Sequence, residues 1–174
     1  MNIFVLDYDA KQSAVDQCDK HVVKMPTETA QMLSTNVRVL QGPSYTKGKA
    51  PILHPHTGDV LPIMQCFGIN HPATRWARES FFNFRWLSIH GKALCREFEK
   101  RFGKRHRALD TLEALDEFLN VRTLTLPDIG RTEHPQCMPE KYKHADAVTA
   151  YRSFYTHDKV RFAKWSYGPS PEWW

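Results

Sequence analysis

Lys20, Lys24, Glu28 and Gln31 are spaced by four, four and three residues, so a helix carries them in one polar stripe. Two amines one turn apart beside a carboxylate are the makings of nucleophilic catalysis. A lysine attacks only when neutral, and desolvation or a neighbouring cation brings it to that state. Lys20 and Lys24 would depress each other, and Glu28 would steady a developing cation or carry a proton. Asp19 and His21 thicken the cluster, and Pro26 interrupts it where a kink would serve a site. The same stripe also fits a solvated face tied by a Lys24–Glu28 pair of roughly 0.3 kcal/mol.

Asn70-His71-Pro72 opens a second helix, where free backbone N–H groups and the positive dipole end suit a phosphate. Asn70, His71, Thr74, Arg75 and Arg78 surround that end, with Arg85 further along to meet phosphates. Capping by Asn70 and His71 alone would explain the HP pair equally well. Asn83, His90, Glu97 and Arg101 line one edge of the same helix, as substrate contacts or as a polar seam against a neighbour. Near the C-terminus Tyr151, Tyr155 and Lys159 recur every fourth residue with Arg152 beside them. Lys159, Arg161 and Lys164 then adjoin Trp165, Trp173 and Trp174, an interleaving that suits unstacked bases. His54, His56, Cys66 and His71 match no zinc spacing, so no metal is expected, and no cofactor. The chain has no P-loop, GxGxxG or GxSxG.

The elements needed to position these residues are mostly helical. Ile3 to Leu6 is a short apolar run, read as a strand or an extended arm. A helix is expected over 13–35, with Pro26 kinking or restarting it and Ala14, Val22, Met25, Met32 and Leu33 on its buried side. Residues 41–69 are rich in Gly and Pro and predict a long loop or irregular hairpin with its turn at His54 to Asp59, the kind of segment that is commonly functional or mobile. One long helix is expected from Pro72 to Phe102, ended by Gly103 and burying Trp76, Phe84, Leu87, Leu94, Phe98 and Phe102. Asp110 and Glu113 cap a short helix ending near Asn120. Residues 121–144 read as irregular, and a last helix spans 146–165. The expected architecture is a compact, single-domain helical bundle over 1–174, with an N-terminal strand or arm and long irregular loops.

At 174 residues, 41% apolar and 12% aromatic, the chain can bury one core. A formal charge of +5 leans toward polyanionic partners, DNA or a nucleotide. The start MNIFVLDYDA lacks a basic n-region, and no apolar run is long enough to span a membrane. A cytoplasmic protein follows as the expectation, with its four scattered cysteines reduced. Oligomeric state is not legible.

In order along the chain stand Cys18-Asp-Lys-His-Val-Val-Lys24 with Glu28 and Gln31, then Asn70-His-Pro72 with Trp76. Gly103-Lys104 with His106 follows, and Tyr151-Arg152 with Tyr155 and Lys159 closes the series. This order resembles small bacteriophage proteins similar to the pyrimidine-dimer DNA glycosylase (endonuclease V) family. The resemblance implies a helical enzyme that cuts the glycosidic bond of a damaged pyrimidine with an amine nucleophile and a glutamate. By position the glutamate falls on Glu28 and the family's helix histidine on His21. The family's nucleophile is an α-amine exposed when Met is removed before a small residue. Here residue 2 is Asn, which leaves the Met1 amine, Lys20 or Lys24 as candidates, or a different chemistry. On this reading Lys20, Lys24, Glu28 and His71 line one pocket. If phage-encoded, the protein would work in the host cytoplasm. The competing reading is a non-catalytic binder of a nucleotide or nucleotide signal. A plain interaction protein using the arginine face is a third.

Overall fold

Buried extended backbone needs hydrogen-bond partners wherever it goes. The computed structural model, which describes residues 1–47, 50–120 and 125–174, runs Ile3, Phe4, Val5 and Leu6 through the interior with no strand beside them. Side chains stand in for a β-ladder. Ser13 Oγ accepts from Leu6 N at 3.0 Å and donates to Phe4 O at 3.1 Å. Gln17 Nε2 donates to Phe4 O, and Arg152 Nε donates to Leu6 O at 2.8 Å. The segment is therefore an arm. Among the described residues the only β pairing is an isolated antiparallel bridge between Leu53 and Val60.

Among the described residues seven α-helices follow: α1 (Ala10–Val15), α2 (Asp19–Gln41), α3 (Pro43–Thr46), α4 (Pro72–Glu79), α5 (Phe81–Phe102), α6 (Ala108–Asn120) and α7 (Ala147–Phe154). The fold is mostly α, as expected. The central helix α2 packs against α4, α5 and α6, and α1 lies on α5. Val22, Met25, Met32 and Leu33 of α2 meet Phe84, Leu87 and Leu94 of α5 in one apolar core. Gly91 lets α2, α5 and α6 pack closely, since a Cβ there would stand 2.6 Å from Thr29 Cγ2 and 3.1 Å from Leu112 Cδ1.

Asp110 and Glu113 lie inside α6, which starts at Ala108 with His106 Nδ1 accepting from Ala108 N, so they do not cap it. Three other expected helices are interrupted or cut short, each where a side chain captures helical backbone groups. The first helix divides at residues 16–18. Arg101, on α5, donates to Val15 O at 2.9 Å and Gln17 O at 2.8 Å, taking carbonyls that a continuous helix would use. Asp9 caps α1 by accepting from Lys11 N and Gln12 N. Pro26 does not restart α2, which continues to Gln41. The long helix divides at Ser80, whose Oγ accepts from Asn83 N, while Phe81 N turns away to Pro127 O at 2.9 Å. The last helix stops at Phe154 and widens into a π-turn, Tyr155–Lys159. Thr156 Oγ1 bonds Arg152 O and Ser153 O there, competing with the α ladder.

The loop over 41–69 contains α3 and the expected turn, closed by His54 N to Asp59 O at 2.8 Å. Buried Arg38 holds it through Met64 O, Ala50 O and Tyr45 O. Residues 48, 49 and 121–124, which fall in the two expected irregular segments, lie outside the described residues. Among the described residues no helix is long and apolar enough to cross a membrane.

Burial holds three histidines far below the ordinary value of 6.5: His21 and His134 at about 3 and His90 at about 4. The folded chain refuses protons that the unfolded chain binds at pH 6.5. Their contribution is thus complete above that pH and is lost as the pH falls toward 3–4, by up to about 1.4 kcal/mol per pH unit per histidine. Urea unfolding at about pH 7.5 and about pH 5 should give a clearly lower stability in acid. Equal stability at the two would contradict neutral burial of these rings.

Candidate active site

The arm ends where α2 presents Glu28. Oε2 of Glu28 accepts from Asn2 N at 3.0 Å and lies 3.9 Å from the Met1 α-amine, while Oε1 is 2.9 Å from Lys24 Nζ. Glu28 is only 9% exposed, whereas the Lys24 side chain is 68% exposed. A carboxylate that is nearly out of water and faces an α-amine, an amide and a lysine is not a member of a uniformly solvated face.

Asn2 aims this nitrogen. Its Nδ2 donates to Cys137 O at 3.0 Å, and its Oδ1 accepts from Ile3 N and from Tyr151 Oη at 2.8 Å. Tyr151 Oη in turn accepts from Cys137 N at 3.1 Å. Burial raises the Cys137 thiol, and the Met1 amine beside it pulls the other way. The Met1 side chain lies on Gly68, where φ is +64° and an added Cβ would stand 2.0 Å from Met1 Cε. His71 closes this side. Its Nδ1 accepts from Ala73 N, capping α4, and its own N–H reaches Gly68 O at 3.0 Å. Burial lowers the His71 ring's pKa. The Met1 amine lowers it further, and the charge of Glu28 opposes both. Glu28, Met1 and His71 thus share one electrostatic neighbourhood.

The other expected site residues are placed differently from one another. Lys20 is exposed and lies over the Phe162 ring at 4.9 Å. His21 points inward, stacked on Phe4 at 4.1 Å and hydrogen-bonded through Nδ1 to Tyr155 Oη. Its low pKa comes from burial first, then from Lys159 and Lys24. Lys159 pairs with Asp158 and sits 4.1 Å from the Phe154 ring centre. Asn70 and Arg75 border a cavity of about 280 Å³ with Trp76 and Glu79, against Glu133 and Pro135. Arg78 is committed to Ile69 O at 2.8 Å and Asn36 Oδ1 at 3.2 Å, whereas Arg85 is exposed.

Thr74, Asn83, His90, Tyr151 and Tyr155 are buried. Asn83 ties Trp76 O and Thr132, and His90 meets Ala10 O and Gln17. Arg101 is held by Glu97 and Asp19. Arg152 holds the arm at Leu6 O and pairs with Asp7 at 3.4 Å. Trp165 and Trp173 donate their indole N–H groups to Asp16. Asn2, Gly68 and Cys137 were missed from sequence, because nothing in their types or spacing says that they meet at Glu28.

A model of the family described as pyrimidine dimer DNA glycosylase matches residues 1–111. The chain belongs to that family. A DNA glycosylase-like function with DNA as substrate follows from the membership. The match takes in the arm, Glu28, Gly68 and His71, and leaves α7 outside it. Neither a curated protein nor a solved structure matches the chain.

Gly68 and Gly103 both hold φ near +65°, but nothing lies within 4 Å of a Cβ at Gly103. Alanine at either should cost about 1 kcal/mol of backbone strain. Only Gly68→Ala should also displace Met1 and lower glycosylase activity. Equal activity in the two variants would separate Met1 from the reaction.

Proposed function

We propose that the protein excises damaged pyrimidines from DNA by covalent catalysis, with the α-amine at the start of the chain as nucleophile and Glu28 as its partner. The observation that carries the reading is the α-amine set 3.9 Å from a buried carboxylate that Asn2 N also fixes. Chemistry favours this amine over Lys24. As a class, α-amines are weaker bases than lysine by about two to three pKa units, so they present a neutral lone pair far more readily near pH 7. Removal of Met1 would make an amine of the Asn2 nitrogen, 3.0 Å from the same oxygen. Either start puts an amine against Glu28.

The lone pair bonds to C1′ as the C1′–N bond to the base breaks, and the base leaves with that electron pair and takes a proton from water. The nitrogen, now cationic, passes a proton to Glu28. The ring oxygen then leaves C1′ and takes that proton from Glu28, so a protonated Schiff base remains. Lys24, Arg75 and the other exposed cations on this side offer phosphate contacts, whose strength would fall with salt. Lys20, His21, Lys159 and the buried tyrosines act at one remove on this reading, by charge or by holding the arm. A phage source and work in a host cytoplasm accord with the resemblance in sequence. Pure nucleotide binding fits less well, since a carboxylate at the centre repels phosphate.

Borohydride should trap the Schiff base as a stable protein–DNA adduct, and peptide mapping should put it on the first residue. Glu28→Gln should cut excision about 100-fold or more. Lys24→Met should still form the adduct. An adduct on Lys24, or full activity in Glu28→Gln, would refute the assignment.

A further inference from the structure

A terminal amine hangs on one peptide unit only, so rotation about the Cα–C bond of Met1 swings it unless something fixes the rest of that residue. We propose that the Met1 side chain is the positioning group for its own α-amine, so that the working enzyme keeps Met1 and loses activity when trimmed to Asn2. This rests on the reading of the α-amine as nucleophile with Glu28 as its partner, and it decides between the two starts which that reading allows.

The ion pair does not settle the amine's direction, because 3.9 Å to Glu28 Oε2 is longer than a hydrogen bond. Asn2 N donates to the same oxygen at 3.0 Å, which fixes the backbone only from that nitrogen onward. The seated part of Met1 is its side chain, 4% exposed and packed on the apolar core. A Cβ added to Gly68 would stand 2.0 Å from Met1 Cε, 3.5 Å from Met1 Sδ and 3.6 Å from His71 Cβ. The thioether end therefore lies in the hollow that this glycine leaves beside His71. That turn is itself closed by His71 N to Gly68 O at 3.0 Å, and the His71 cap ties it to α4. A side chain with three rotatable bonds suits so irregular a hollow.

The two starts differ at the reacting nitrogen. With Met1 in place, the amine stands outside hydrogen-bond distance of the carboxylate and is aimed by the seated side chain. With Met1 gone, the nitrogen 3.0 Å from Oε2 becomes an ammonium in a charge-assisted hydrogen bond, which ties up the lone pair that attack requires. The hollow at Gly68 is then left unfilled. Asn2 cannot fill it, because its side chain is held by Cys137 O and Tyr151 Oη. Nor is Asn2 the small second residue that removal of an initiator methionine requires.

Released from a cleavable leader, the chain can begin at Met1, at Asn2, or with another residue in place of Met1. The rate of borohydride trapping on a duplex with an abasic site is then read at saturating DNA, well below each protein's melting temperature. The Asn2 start should be slower by about tenfold or more, as a small misplacement of a reacting group implies. Met1→Gly keeps an amine at residue 1 but empties the hollow, and should lose as much rate with unchanged affinity for the DNA. Met1→Leu nearly conserves volume and should keep most of the rate. Gly68→Ala should slow the parent protein yet cost little further in Met1→Gly, where no side chain is left to displace. The intact mass of active enzyme made without a leader should include Met1. Parent-level trapping by the Asn2 start or by Met1→Gly, or active enzyme that lacks Met1, overturns the anchor and leaves the amine reading intact. No adduct from any start, or an adduct on Lys24, overturns both.

Discussion

Four apolar residues, Ile3 to Leu6, cross the interior as an extended chain, and the rest of the structure answers to the cost of burying that backbone. Each amide or carbonyl left without a partner there would cost about 1–3 kcal/mol. A sheet would settle the matter with neighbouring strands, but here Ser13, Gln17 and Arg152 reach in from separate elements. The arm is thus fixed in register by side chains, and its register decides what stands at its end. Asn2 N meets Glu28 because Asn2's own side chain is spent on Tyr151 and Cys137. The glutamate stands one turn beyond Lys24 on the continuous run of α2.

The same economy explains why many polar residues that look available for substrate are not free. Tyr151 and Tyr155 recur with Lys159 at helical spacing, yet their rings lie in the core and their hydroxyls bond Asn2 and His21. His90 joins α5 to Ala10 O at the start of α1. Arg101 reaches across to Val15 O and Gln17 O and makes the break from which α2 starts afresh. These residues hold the arm and α2 in a fixed relation, and so act on the amine and carboxylate through the frame.

Periodicity made the helical class, the buried faces of α2 and α5 and the stripe through Glu28 legible in the sequence. The breaks at residues 16–18 and at Ser80 were not legible, because they are set by Arg101 and Pro127, partners distant in sequence. The end of α7 was only weakly visible. Thr156 is local, but its preference for the preceding carbonyls competes with a strong apolar repeat. At the site, Glu28 and His71 stood out by motif and neighbourhood. Asn2 and Gly68 did not, since an asparagine at residue 2 and one glycine among many in a loop carry no period. Their meaning is purely tertiary. One contacts the 135–137 segment and the other the Met1 side chain.

A cavity of about 540 Å³ lies beyond the far end of the arm, between Asp7, Asp16, Arg152 and Trp173, and not at Glu28. For an enzyme acting on a small metabolite this would count against Glu28, since such sites are concave and enclose their ligand. DNA reverses the expectation. A duplex is too long to be enclosed, so it is met by an open face. What such a face must supply is a reactive group at the surface that water has not levelled. On the reading proposed above Glu28 would meet that demand, since it is buried at its carboxylate yet bordered by exposed Lys24 and by the Met1 amine. Three acids, Asp7, Asp16 and Glu172, line the far cavity and would repel a phosphate backbone. On the same reading, DNA would lie on the Glu28 side, where exposed Lys24 and Arg75 offer phosphate contacts.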